Sequence, residues 1–132
     1  MRLDITCLKD ILSVVEAHEE PMYMRISDFT NLLPQYSSTE IEYCCRRLDE
    51  GGLLNVYYYE YPELSLDISE IKCIGDLTFY GHEFLSDIKN PDTWEKIKSI
   101  FSQGGSASIK TIREVAVELG VAYLKRRFGI NN

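Results

Sequence analysis

The stretch from residue 38 to residue 61, STEIEYCCRRLDEGGLLNVYYYEY, places a helix pattern directly before a strand pattern. Its apolar residues recur at the three- and four-residue spacing of one helical face, which predicts a helix over 38–51. Gly51 and Gly52 predict the end of this helix, because glycine accepts the left-handed backbone conformation that closes many helices. The aromatic and β-branched residues that follow are typical of a strand.

The segments on either side of residues 38–61 are predicted to form further helices and strands. The predicted elements are helices over 4–18 and 27–34, a short edge strand over 23–26, a second strand ending near Leu77, and helices over 79–90, 90–101 and 108–128. This order predicts an α+β fold, a winged helix-turn-helix core with a C-terminal helical extension. Helix 38–51 is the second helix of the turn motif, and the wing lies near 61–69. We place the core domain at residues 1–90 and the extension packed on it at 91–132.

The composition and charge of the chain limit the kinds of partner and the location that it is expected to have. The 132 residues are 45% hydrophobic and carry a net charge of −7. Residues 1–90 hold 17 acidic and 7 basic side chains, a net −10, whereas residues 91–132 hold 4 and 7, a net +3. An acidic protein of this kind does not collect on nucleic acid non-specifically. Because neither a signal peptide nor a membrane-length apolar run is apparent, the sequence predicts a cytoplasmic protein without membrane association.

The residue types that most often carry catalysis or metal binding do not form a recognised pattern. His82-Glu83 resembles the start of the zinc motif H-E-x-x-H, but position 86 is a serine. The four cysteines form no C-x-x-C pair, and the sequence has no phosphate-binding loop. We therefore predict a protein that is not an enzyme and uses no metal or cofactor, with His82 in a capping or packing role.

Two clusters of cations bear on nucleic-acid binding. Arg46 and Arg47 lie on helix 38–51, where four acidic side chains outnumber them, and a helix that reads the major groove normally presents cations and amides. Lys125, Arg126 and Arg127 form the densest basic run, at the end of the last helix. There they also suit the negative end of the helix dipole. DNA binding is therefore possible but disfavoured by charge.

A run of tyrosines offers a different surface. Tyr57, Tyr59 and Tyr61 share one face of the predicted strand, while Val56 and Tyr58 share the other. Tyrosines are common at binding surfaces because they combine a large apolar ring with a polar tip. Two explanations stay open, namely an interaction surface and a face covered by the helical extension. For Trp94, helical spacing and a short preceding turn predict that it is largely buried against Phe84, Leu85 or Ile88.

Several phrases resemble a known family when they are taken together. LDEGGLL at 48–54 is similar to the turn from a third helix into a wing, and LTFYGHEFL at 77–85 is similar to the turn from the second wing strand into a closing helix. With MRLDITCLKDIL, the Gly-His-Glu-Phe-Leu to Trp segment and SASIKTIREVA, they resemble a bacterial domain-of-unknown-function family common in phages and prophages. That family usually has a tryptophan shortly before the glycine, where Phe79 and Tyr80 stand here. A more distant similarity is to YjcQ-like proteins.

The resemblance implies a winged-helix-like fold and no particular activity. We therefore predict a phage- or prophage-type protein that acts as a non-enzymatic protein-interaction module, through a protein partner or self-association. The predicted interaction residues are Tyr57, Tyr59, Tyr61, Arg46, Arg47, Lys125, Arg126 and Arg127. The alternative is a DNA-binding transcriptional regulator that uses helix 38–51 and the wing.

Overall fold

The computed structural model describes residues 3–20, 23–60, 70–101 and 108–129, with all of their side chains except that of Tyr123. Within these ranges the chain forms α1 Ile5–Ala17, α2 Ile26–Leu32, α3 Ser38–Glu50, β1 Leu54–Tyr58, β2 Ile71–Leu77, α4 Phe79–Lys89, α5 Pro91–Phe101 and α6 Ile109–Phe128. The predicted α+β class is confirmed. The predicted wing near 61–69 and Tyr61 lie outside the described residues.

β1 and β2 pair in the antiparallel sense, with Val56 opposite Ile74 and Tyr57 opposite Cys73. Ile74 also pairs with Met24: the Met24 amide donates to the Ile74 carbonyl at 3.2 Å, and the Ile74 amide donates back at 2.7 Å. The short edge strand predicted over 23–26 is reduced to a single bridge beside β2, because α2 already begins at Ile26. Three helices, a bridge and a hairpin, followed by further helices, are compatible with a winged-helix-like fold with a C-terminal helix.

The turn from α3 into β1 depends on a left-handed glycine. Gly52 has φ +73°, the Leu53 amide donates to the Leu48 carbonyl at 2.9 Å, and the Gly52 amide donates to the Asp49 carbonyl at 3.0 Å. This is the Schellman pattern, in which a glycine just beyond the helix satisfies the last carbonyls. Leu48 and Leu53 are both fully buried, so the turn also adds to the core.

The first turn of α4 is seated directly on the α3–β1 turn. The Thr78 hydroxyl accepts from the Gly81 amide at 3.0 Å and donates to the Gly52 carbonyl at 2.6 Å, while the Thr78 amide donates to the Leu53 carbonyl at 3.1 Å. A Cβ atom at Gly81 would lie 1.9 Å from the Leu53 carbonyl oxygen. Within LTFYGHEFL, Thr78 caps α4 and Gly81 allows a close backbone contact that any other residue would block.

The helices and the inner face of the sheet enclose a continuous hydrophobic core. Phe29 and Phe84 are the largest fully buried side chains, and Ile97, Ile112 and Ala116 add the later helices to the same cluster. The predicted division at residue 90 falls at the turn between α4 and α5, and it stays a prediction. None of the described helices has the length and apolar character that crossing a bilayer requires.

Trp94 lies at the edge of the core, and its partial burial is compatible with the predicted burial. Its indole is half-buried and packs against the edge of the core, where the Lys9 ammonium lies 4.5 Å from the ring centroid. The reason is the orientation of α5, which presents Thr93 and Ile97 to the interior. Because neighbouring residues on a helix point about 100° apart, Trp94 is turned from the centre of the core toward α1.

α4 and α6 approach closely where Asp87 faces Gly120. A Cβ atom at Gly120 would lie 2.9 Å from Asp87 Oδ1. Burial, together with repulsion from Glu83, raises the pKa of Asp87 above its ordinary value. An acid whose pKa is raised by folding destabilises the fold while it is ionised, and this destabilisation is relieved as the pH falls through the raised pKa.

Candidate functional site

The outer face of the hairpin carries a cluster of exposed tyrosines. Along β1, Leu54 and Val56 are buried, whereas Tyr57 lies on the opposite side and is 44% exposed. Tyr59, one residue beyond the strand, is 43% exposed. The Tyr23 ring stacks on the Tyr57 ring, with centroids 5.4 Å apart and planes 11° from parallel. We call Tyr23, Tyr57 and Tyr59 the aromatic face.

A glycine on β2 lets the Tyr57 ring approach the backbone of the hairpin closely. A Cβ atom at Gly75 would come within 2.7 Å of Tyr57 Cε2. Glycine inside a strand often marks a place where another group approaches the backbone closely, and here that group is an aromatic ring. The pairing is also irregular between Leu54 and Val56, which changes the local register next to this contact.

The neighbouring Tyr57 also influences the hydroxyl group of Tyr23. A hydrogen bond with Tyr57, and to a smaller extent the charge of Asp76, raises the pKa of Tyr23. Like any tyrosine, Tyr23 is protonated near neutral pH and can donate a hydrogen bond. The aromatic face thus offers both ring surface and a hydroxyl donor.

A surface cavity of about 240 Å³ opens beside Tyr23. Its lining combines apolar side chains with ionisable ones: Val15, His18, Glu20, Tyr23, Met24, Ile74, Gly75 and Asp76. The carboxylates of Glu20 and Asp76 make it suited to a cationic or hydrogen-bond-donating group. Sequence analysis identified neither this cavity nor Tyr23. The alternation in YMRI, which points Tyr23 and Met24 to opposite sides, was the signal for Tyr23.

Arg46 and Arg47 are engaged within the domain and are not part of the aromatic face. The Arg47 guanidinium donates to Glu50 Oε1 at 2.6 Å and lies 5.3 Å from the Tyr43 ring. The Arg46 guanidinium lies 5.5 Å from the ring of Tyr58. Both arginines therefore contact aromatic rings of their own domain.

Tyr58 connects β1 to α3 from the inner side of the hairpin. Its hydroxyl donates to Asp49 Oδ2 at 2.8 Å. Burial and this hydrogen bond raise the pKa of Tyr58 to about 12. The tyrosine run is thus divided, because Tyr57 and Tyr59 are exposed whereas Tyr58 is a structural contact.

The remaining predicted interaction residues lie on another element. Lys125, Arg126 and Arg127 occupy the last turn of α6, where cations suit the negative end of the helix dipole. Gly129 ends this helix in the left-handed conformation, with φ +65°. Tyr61 belongs to the residues that the structure does not describe.

The thiols and His82 do not assemble into a reactive centre in the described part of the chain. Cys7, Cys44 and Cys45 are buried, and a hydrogen bond with Cys7 together with burial raises the pKa of the Cys44 thiol. Burial likewise raises the pKa of Cys45, and buried thiols of this kind are inert. The His82 side chain is exposed on α4. Across the described ranges, no three His, Cys, Asp or Glu side chains are grouped so that they would hold a metal ion.

Comparison with known proteins places the chain in a family. Residues 2–107, well over half of the chain, match the family described as Hypothetical protein (DUF2513). The chain belongs to the DUF2513 family. The DUF2513 match includes the aromatic face, the Gly81-His82-Glu83 phrase and Trp94, and it stops just before α6. No curated protein and no solved structure matches this DUF2513 chain significantly.

Proposed function

We propose that this DUF2513 protein is a non-enzymatic protein-interaction module that binds a protein partner through the aromatic face. The observation that carries the proposal is the exposure of Tyr57 and Tyr59 next to the stacked Tyr23. Covering by the helical extension was the other explanation for these rings. Their exposed fractions weigh against it, since α6 packs mainly on α4 and α5.

The chemistry of the surface favours a partner that presents a cationic side chain beside an apolar one. Tyrosine rings supply rigid contact area and attract cations to their faces. The adjoining cavity adds the carboxylates of Glu20 and Asp76, and residues 1–90 carry a net charge of −10. Complementary charge of this kind accelerates association and selects among partners.

The proposal also includes a winged-helix-like core, a phage or prophage setting and a cytoplasmic location. A winged-helix-like core is supported by the order of three helices, the bridge at Met24 and the β1–β2 hairpin. A phage or prophage setting is supported by the family resemblance, whose most specific part is the Gly-His-Glu-Phe-Leu to Trp segment, and the more distant similarity to YjcQ-like proteins supports the same winged-helix-like fold. Cytoplasmic localisation is supported by the four free cysteines, because reduced thiols are typical of that compartment.

We expect the double variant Tyr57→Ala/Tyr59→Ala to lose the protein partner while it stays folded. The partner is first isolated with the wild-type protein from infected or lysogenic cells, and its binding to each purified variant is then measured by calorimetry. Removing central aromatic contacts typically costs 2 kcal/mol or more, which corresponds to a dissociation constant raised about 30-fold. The matched control is Tyr80→Ala, an equally exposed tyrosine on α4. Equal binding by the double variant and the control would contradict the proposal.

DNA binding through α3 is the second candidate, and we expect it to be weak. Non-specific affinity requires cations that neutralise phosphates, whereas Arg47 is paired with Glu50 and Arg46 lies over Tyr58. In a fluorescence anisotropy series with a labelled duplex, we expect no submicromolar binding at about 150 mM salt. Any weaker binding should depend on the cluster from Lys125 to Arg127. Tight binding that disappears in Arg46→Ala/Arg47→Ala would instead identify a DNA-binding regulator.

A further inference from the structure

α6 carries two separate apolar faces. The inner face packs on the domain, with buried or half-buried Ile112, Val115, Ala116 and Leu119. A second row of apolar side chains is between 46% and 67% exposed, and we call it the outer seam: Val117, Val121, Leu124 and Phe128. A surface helix normally presents polar residues opposite its buried face. The outer seam instead exposes apolar side chains there, which indicates a surface that another helix can cover.

The outer seam has the spacing of a helix–helix contact. Its residues follow one another at intervals of four, three and four, which is the a/d spacing of a coiled coil. At 100° per residue they fall within an arc of about 60°. Further toward the start of α6 the same side of the helix carries Lys110, Arg113 and Glu114, so the apolar row is confined to the second half.

The second half of α6 extends past the helix that covers its flank. The Arg113 guanidinium lies 4.4 Å from the Tyr80 ring, and Gly120 faces Asp87, so α4 accompanies α6 up to this point. From Val121 to Gly129 every described side chain is exposed except that of Lys125, which is half-buried. The outer seam is therefore accessible to a second helix.

We propose that the outer seam pairs with the outer seam of a second copy of this chain, in the antiparallel direction. This pairing places Val117 opposite Phe128 of the other copy and Val121 opposite Leu124, so that each small side chain meets a large one. It also brings Glu118 on one flank beside the cationic end at Lys125 of the other helix. A parallel pair would instead align the two clusters from Lys125 to Arg127 and bring like charges together.

The contact is isologous, because the same residues contribute from both copies, and the antiparallel helix dipoles are favourably oriented. Four apolar side chains per copy bury less than the ~800 Å² per partner of a standard interface. We therefore expect a reversible dimer with a dissociation constant on the order of 10 μM. The outer seam is a different surface from the aromatic face. If the dimer were not observed, the proposed function of the aromatic face would therefore be unaffected.

Sedimentation equilibrium of the full chain from about 1 to 500 μM tests the dimer, a range that brackets the expected constant. Leu124→Glu places a carboxylate in the outer seam and should raise the dissociation constant at least about tenfold. Ala122→Glu is the matched control: the residue is exposed on the same helix, about 130° from the seam, and should leave the constant within about twofold. Circular dichroism confirms that both variants remain folded.

The direction of the pair is tested by exchanging charges. Glu118→Lys should weaken the antiparallel dimer, and Glu118→Lys/Lys125→Glu should restore it, whereas a parallel pair would not recover. A monomer at all concentrations overturns the proposal, as does a dimer that Leu124→Glu and Ala122→Glu affect equally. Binding of the monomer to vesicles of anionic phospholipid, with loss in Leu124→Glu, would overturn it too, because a membrane surface would then cover the outer seam.

Discussion

Replacing Gly81 by alanine should reduce the free energy of unfolding by at least about 3 kcal/mol, the upper part of the range for overpacked sites. The added methyl group would lie 1.9 Å from the Leu53 carbonyl oxygen, and a backbone atom cannot turn away as a side chain can. α4 must therefore lift off the α3–β1 turn, which breaks the contacts of Thr78 with Gly52 and Leu53. Urea denaturation followed by circular dichroism measures the loss.

The matched control is Gly120→Ala on α6. Its methyl group would meet Asp87 Oδ1 at 2.9 Å and Asp87 Cγ at 3.3 Å, and these are side-chain atoms that can shift more easily than a backbone carbonyl. Alanine also favours the helix over glycine by about 1 kcal/mol, so this variant should be neutral or slightly stabilised. If Gly81→Ala proved as stable as Gly120→Ala, the seating of α4 on the α3–β1 turn would be wrong.

Phe84→Ala should cost about 3–5 kcal/mol, the range for emptying a large aromatic site in a core. Phe84 is 2% exposed and is one of the two largest fully buried side chains. Such a loss is a large part of the ~5–15 kcal/mol that stabilises a typical domain. Thermal and urea unfolding of the purified variant measure it.

Two aromatic residues nearby calibrate this prediction. Phe79 lies on the same helix but is 70% exposed, so Phe79→Ala should change stability by no more than about 0.5 kcal/mol. Trp94 is half-buried, so Trp94→Ala should fall between the two phenylalanine variants. A larger loss of stability for Trp94→Ala than for Phe84→Ala would contradict this order and show that the Trp94 indole contributes more to the core than Phe84 does.

The order of elements followed from the sequence because each one is marked by local chemistry. The apolar spacing and the double glycine predicted α3 and its end, and the structure adds that Gly52 is the left-handed residue. The two strands were predictable from their composition and pair as expected. Sequence also separated Tyr57 and Tyr59 from Tyr58, because side chains alternate along a strand.

Sequence patterns did not show which segments lie side by side. Tyr23 joins the aromatic face because Met24 bridges to Ile74, a contact between residues fifty positions apart. The cavity beside Tyr23 needs α1, the bridge and β2 together, and no local pattern encodes that combination. Helical spacing placed Trp94 on an apolar face, but the rotation of α5 against α1 determined how deeply it is buried.

The sequence by itself determined the type of each element, the glycine turn after α3 and the division of the tyrosine run, since these depend on propensity and on periods of 2 and 3.6 residues. Tertiary structure decided which faces are covered. Two apolar rows are present on α6, and periodicity treats them alike, but α4 and α5 cover the inner face and leave the outer seam exposed. Burial depends on neighbours distant along the chain, and a local pattern carries no information about them.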